Sequence, residues 1–336
     1  MEFLYQYGLF LAEIVTIVVA IIIVVVAVIA AASKGKSETG TLEIINLSEG
    51  LTQSSDMLRS EIMNKDDYKA FTKEQKKQKK SGQVLQGNTY VIDFKGSMDA
   101  HQVDSLRREI TAIVQVATKN DEVLLRLESP GGVVHGYGLA ASQLLRITQR
   151  EIPLTVTVDK VAASGGYMMA CIANRIVAAP FSIIGSIGVI AQIPNFNKVL
   201  KKNDIDFEQV TAGEYKRTLT MFGENTDQDR EKFQSEIDDV HGLFKQHVNR
   251  NRPQLDIDKV ATGETWFGEQ AIGLGLIDEL STSDDYLLAR AKEKNVYQIK
   301  YVLPKTLSEK LGKAASVSLE SSLYNVWQRL SQWRSF

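Results

Sequence analysis

A single cysteine in 336 residues rules out a disulfide-stapled architecture. Cys171 has no partner within the chain, so cysteine usage also gives no sign of which side of a membrane the protein occupies. It sits in the apolar run Met168-Met169-Ala170-Cys171-Ile172 and reads as a small buried hydrophobe. Histidine is nearly as scarce. His101, His135, His241 and His247 do not group with acids at metal-ligand spacing, and neither CxxC nor HExxH occurs, so no metal and no cofactor is expected. An excess of charge is missing too: the formal net charge of −2 argues against a general nucleic-acid binder. The composition, 24% charged and 44% hydrophobic, is that of an ordinary globular chain.

Charge is locally absent from Ile14 to Ser33, twenty residues dominated by Ile, Val and Ala. As a helix this run would extend about 30 Å, the thickness of a bilayer's hydrocarbon core. A cleaved signal peptide is the competing reading, because Ala30-Ala31-Ala32 offers small residues. The run is too long for that, and no Lys or Arg precedes it. A retained transmembrane anchor over 9–33 is therefore expected, in contact with membrane lipid. Lys34 and Lys36 follow the span, a slight vote for a cytoplasmic C-terminal bulk that leaves the side open.

Residues 34–88 read as a polar linker or N-terminal extension. It contains a short strand candidate, Leu42-Glu43-Ile44-Ile45-Asn46-Leu47, and seven lysines between Lys65 and Lys80. The lysine-rich part is read as solvated, with a membrane-surface or partner-binding segment as the alternative. From Thr89 the texture changes to alternating strand and helix. Tyr90–Phe94, Glu122–Glu128 and Leu154–Val158 read as strands; His101–Thr118 and Val134–Arg150 read as helices. Such alternation implies an α/β fold with parallel strands, ending near residue 295. The uncharged run Ile176–Asn197 carries Pro180, Gly185, Gly188 and Pro194, and reads as two short core strands with turns rather than a second span. In the C-terminal extension, 296–336, Leu319, Leu323, Val326, Trp327, Leu330 and Trp333 fall at helical spacing. This suits core or oligomer packing, with an interfacial membrane helix as the rival.

Three segments offer what acyl transfer needs. Ser129-Pro130-Gly131-Gly132 closes a strand, and paired glycines let backbone N–H groups approach a substrate carbonyl as half of an oxyanion hole. Ala162-Ala163-Ser164-Gly165-Gly166-Tyr167 places a serine at a helix start. The bland role there is an N-cap; a nucleophile would gain the N–H of Gly165. The segment is not a GxSxG elbow, because Ala162 stands at the first glycine position. Thr211-Ala212-Gly213-Glu214-Tyr215-Lys216-Arg217 carries a lysine near a turn, ordinarily a solvated charge. A lysine that serves as a base must have its pKa brought from about 10.4 towards roughly 7 by burial.

Taken in order, Ser129-Pro130-Gly131-Gly132, Ala163-Ser164-Gly165-Gly166-Tyr167, Gly185-Ser186-Ile187-Gly188-Val189 and Gly213-Glu214-Tyr215-Lys216 resemble the signal-peptide peptidase A type of serine peptidases, family S49. The resemblance covers roughly residues 89–290, and the anchor with a long linker is similar to its SohB-like subgroup. It implies a Clp-protease/crotonase-like spiral of ββα units over 89–295. It also implies a Ser-Lys dyad of Ser164 and Lys216, with Ser186 orienting the lysine. The oxyanion hole would be formed by Gly165 and by Gly131 or Gly132. Family members form rings in which neighbouring subunits can contribute to one site, so the resemblance implies a homo-oligomer and allows a dyad that crosses subunits. The implied substrates are remnant signal peptides or other membrane-derived peptides, and the implied location is the bacterial inner membrane. Ser186–Gln192, where a Clp protease places its catalytic histidine, has none. His135, beside the glycine pair, reads as a loop or helix-start residue; His241 and His247 read as solvated positions of a charged helix. A catalytically dead membrane scaffold and a crotonase-type acyl-CoA enzyme are the competing functions.

Overall fold

The computed structural model describes residues 2–33, 40–80 and 87–303; within these, the side chains of 2–4, 22, 23, 25–33, 76 and 78–80 lie outside the description. In chain order the first elements are α1 (Glu2–Ser33), β1 (Thr41–Asn46), α2 (Leu47–Ile62), α3 (Lys65–Lys80), β2 (Asn88–Lys95) and α4 (Val103–Val116). Next come β3 (Glu122–Glu128), α5 (Val134–Thr148), β4 (Leu154–Val158), β5 (Val161–Ala163), α6 (Gly165–Ala170), β6 (Arg175–Ala178) and β7 (Ile183–Gly185). The remainder are α7 (Asn197–Lys202), α8 (Asp227–Asn251), α9 (Ile257–Val260), β8 (Thr265–Phe267), α10 (Gly268–Ala271), β9 (Glu279–Leu280), α11 (Ser283–Glu293) and β10 (Asn295–Val302).

The chain divides into two compact units, one of them Leu42–Tyr301 and the other comprising 1–41 and 302–336. The second unit contains α1, and its described apolar side chains, Leu9, Phe10 and Ile14 among them, are exposed. Among the described residues no helix is long and apolar enough to cross a membrane. The expected span Ile14–Ser33 falls within α1, and most of its second half has side chains outside the described set. The helical spacing seen in sequence between Leu319 and Trp333 lies wholly outside the described residues.

Leu42–Tyr301 is a mixed α/β unit. Seven strands form one sheet in the order β1-β10-β2-β3-β4-β6-β9, and three form a second, β5-β7-β8. From β10 through β9 the large sheet is parallel. The central strands are buried on both faces, which explains the near-continuous apolar runs VLLRL and LTVTV. On one face Ile92, Leu125 and Val156 join Leu106, Ile110 and Leu144 of α4 and α5; on the other, Val91 and Leu124 join Tyr286 and Leu287 of α11. Burying a side chain of this size contributes about 1.5–3 kcal/mol, so these two layers dominate the stability of the unit.

The strands come in close pairs. β4 runs in the large sheet and, after a gap of two residues, β5 starts the small one; β6 and β7 repeat this step across a gap of four. The uncharged run Ile176–Asn197 accordingly supplies strands and turns, as its prolines and glycines predict. The strand expected near residue 42 is β1, and the lysine-rich stretch after it is the helix α3, whose described lysines Lys65, Lys69, Lys73 and Lys77 are exposed.

Candidate active site

β5 and β7 pair in parallel with Ala163 opposite Gly185, so Ser164 and Ser186 leave the small sheet at the same level. Both have positive φ, 52° and 53°, a region that residues other than glycine occupy only when their surroundings hold them there. The backbone bonds that do so are short. Ser164 N–H donates to the Gly185 carbonyl at 2.8 Å, and Ser186 N–H donates to that of Glu264 at 2.6 Å. Each such residue stores about 1–3 kcal/mol of strain. Ser164 occupies the N-cap position of α6, yet its side chain makes no capping hydrogen bond. The half-buried hydroxyl is thus not used in the way that a helix-start serine ordinarily is.

The Ser129–Gly132 loop lies against this turn. Ser129 N–H donates to Val161 O at 2.8 Å, and Ala163 N–H donates back to Ser129 O at 3.0 Å. Gly131, at φ 93°, comes so close that a β-carbon there would lie 2.7 Å from Ser164 Cβ and 2.8 Å from Gly165 N. Gly165 has a different neighbour: a β-carbon on it would collide with the ring of Tyr137. These glycines are therefore required by close approach as much as by backbone angle.

The two oxyanion candidates in the loop are not equivalent. Gly131 N–H is already committed, donating to Ser129 Oγ at 3.1 Å. That hydroxyl lies 2.6 Å from the Tyr137 hydroxyl, which donates to Ser97 O at 2.9 Å, so the proton order runs Gly131 to Ser129 to Tyr137 to Ser97. Burial pushes the Tyr137 phenol above its usual range and keeps it a donor. Among the described residues, the N–H groups of Gly132 and Gly165 have no acceptor within the protein. Tyr137 has no counterpart in the sequence reading. It lies at 0% exposure, and its phenol position in a helix of small and apolar residues was the one available signal.

Lys216 has none of this support. It belongs to the stretch between α7 and α8, is exposed, and has its N–H on Gly213 O at 3.2 Å. No hydrogen bond among the described residues joins it to Ser164 or Ser186. It lines a cavity of about 810 Å³ whose other walls include Ile193, Phe207, Val210, Leu219 and Phe222, with none of the serine-side residues. Cys171 is buried, as its sequence context predicts, and burial drives its thiol upward. His135 is exposed in the first turn of α5. The other two histidines differ from expectation: His241 Nε2 lies 3.2 Å from Ile187 O and His247 Nε2 lies 2.9 Å from Met168 O, both part-buried. One face of α8 packs inward through Phe244 and Val248, and it carries these rings with it.

Comparison with known proteins agrees with the motifs. The family model described as Peptidase family S49 N-terminal matches residues 2–144, and the one described as Peptidase family S49 matches 146–297. The chain is 50% identical to a probable protease SohB of Haemophilus influenzae over 99% of this chain and 98% of that protein. It is 45% identical to a putative protease SohB of Buchnera aphidicola subsp. Baizongia pistaciae, over 90% and 91%. A putative protease MJ0651 of Methanocaldococcus jannaschii is 34% identical over 52% of this chain and 56% of its own. With matches running almost unbroken from residue 2 to residue 297, and with Ser164 inside the second of them, the chain belongs to peptidase family S49.

Proposed function

We propose that this protein is a membrane-anchored serine endopeptidase of the bacterial inner membrane. Its nucleophile would be Ser164 and its general base Lys216. The observation that carries this reading is Ser164 itself: a strained, uncapped, half-buried serine with two uncommitted N–H groups, of Gly132 and Gly165, in the turns around it. The paired strands β4–β5 and β6–β7 support the Clp/crotonase type of ββα spiral as the framework.

In the proposed reaction Ser164 Oγ attacks the scissile carbonyl while its proton passes to the neutral amine of Lys216. The oxyanion is held by Gly132 and Gly165, a contribution of about 3 kcal/mol for each such donor. Gly131 acts by holding the loop in place. Lys216 then protonates the leaving amine, and water hydrolyses the acyl-serine by the same steps. Ser186, level with Ser164 at the strand ends, orients the lysine. A lysine serves as a base only where its ammonium form is disfavoured, which calls for burial. Lys216 is exposed in the single chain, so its cover would come from a second copy. Exposed Ile190, Val199, Phe207 and Val210 give that copy an apolar surface to bury, and a homo-oligomer with the dyad shared between neighbours follows. The twenty-residue uncharged run within α1 supports the anchor, and an anchored site suits remnant signal peptides and other membrane-derived peptides.

The test is peptide cleavage by the detergent-purified protein. Ser164→Ala and Lys216→Ala should each lower kcat by roughly 10⁴-fold or more. Undiminished turnover in both variants would remove the dyad.

A further inference from the structure

Two histidines reach from one helix to the segments that follow both serines, although the charged helix that bears them reads from sequence as solvated. A carbonyl oxygen can only accept, so both His241 and His247 must carry their proton on Nε2 and donate it. His241 donates to Ile187 O, the residue after Ser186, and His247 donates to Met168 O, within the single short helix that Ser164 begins. Met168 N–H in turn donates to Ser164 O at 2.9 Å, so the His247 bond is one peptide removed from the serine's own carbonyl. Beyond α6 the N–H groups of Cys171, Ile172 and Ala173 donate to Tyr167, Met169 and Ala170 O; Met168 O receives no backbone donor from them, and takes the His247 Nε2–H at 2.9 Å and the Cys171 thiol at 3.3 Å.

The helix that carries them is well fixed. α8 runs 25 residues, starts with a capping box at Thr226 and Asp229, and buries Phe244 and Val248. Beyond its end, Arg252, 4% exposed, makes two 2.8 Å bonds to the Asp278 carboxylate and another to Gly275 O. The histidines stand six residues apart, a rise of about 9 Å along a rod that does not bend easily. We infer that His241 and His247 are positioning residues: from α8 they brace the segments behind Ser186 and Ser164, which the β5–β7 pairing already joins, and so hold the geometry in which the lysine amine meets the nucleophile. Neither touches substrate. The inference rests on the proposed role of Ser164 and extends it to a helix that the four family-like motifs do not include.

A displaced nucleophile loses rate more than binding. His247→Leu and His241→Leu should each lower kcat about tenfold with KM changed less than about twofold. Gln, whose terminal N–H₂ can reach the same carbonyl, should restore most of the loss at either position. Thermal unfolding of each variant, followed by circular dichroism, separates misfolding from misplacement. If His247→Leu does not fold, the Leu and Gln pair at His241 carries the same comparison. Folded Leu variants with wild-type kcat, or Gln variants no better than Leu, would overturn the positioning role. A fully active Ser164→Ala control would instead remove the reading on which it rests, so the two failures are distinguishable.

Discussion

The serine side and the lysine side of the proposed dyad are built in opposite ways. Around Ser164 the chain supplies everything: paired strand ends, a glycine loop locked by Ser129 and Tyr137, and α8 behind both turns. Around Lys216 it supplies almost nothing but an exposed stretch with no helix or strand between Lys202 and Asp227, bordered by apolar side chains. A framework able to hold two serines at positive φ is stiff, whereas an uncovered lysine is no base. The difference suggests a division of labour in which one copy provides the nucleophile and its oxyanion hole and its neighbour provides the lysine, covered where the two copies meet.

Substitutions should separate the two regions. The largest effect is expected on the serine side, from Gly131→Ala. It combines a positive φ with a β-carbon 2.7 Å from Ser164 Cβ, and should cost about 2–5 kcal/mol in stability along with most of the activity. Denaturant unfolding and peptide turnover measured on the same sample check both. Next is Glu109, buried between α4 and β10, where it accepts the Tyr301 N–H at 2.8 Å. Burial raises its carboxyl from 4.5 to about 7. A carboxyl raised in the folded state contributes stability fully present below about pH 4.5 and lost as pH rises through about 7. The loss is of order 3 kcal/mol by proton linkage. Glu109→Gln does not titrate, so its melting temperature should stay level across that window while the wild type falls; parallel slopes would refute this. The smallest stability effect is expected on the lysine side. Val210, 95% exposed, should accept Asp with a change within about 0.5 kcal/mol, yet lose the assembled species in analytical ultracentrifugation. Unchanged sedimentation would show that this face does not hold copies together.

What could be read from sequence follows the same divide. β3 and β4 were legible to the residue because each is an apolar run bounded by turn chemistry, and β2, α4 and α5 differ by only a few residues at their ends. The three-residue strands β5, β7 and β8 carry no periodicity and emerge only as neighbours of one another. The choice between Gly131 and Gly132 was equally invisible, since it depends on where the Ser129 hydroxyl points. For α8 a signal was present: His241, Phe244 and Val248 share a stripe at spacings of three and four, and His247 lies beside it. The many charges on the rest of the helix hid it. The stretch 34–88, read as a polar linker, lacks a continuous apolar run, but Ser48 and Leu51 of α2 reach Val296 and the core beneath α11.

The division between copies is tested most directly by mixing. Ser164→Ala and Lys216→Ala proteins, each inactive alone, are combined under conditions that exchange subunits, and peptide cleavage is measured. A dyad shared between neighbours predicts recovery to roughly a quarter of wild-type activity, the chance that an adjacent pair supplies one intact serine and one intact lysine in the required order. Full subunit exchange with no recovered cleavage would contradict it and return the lysine to the serine's own chain.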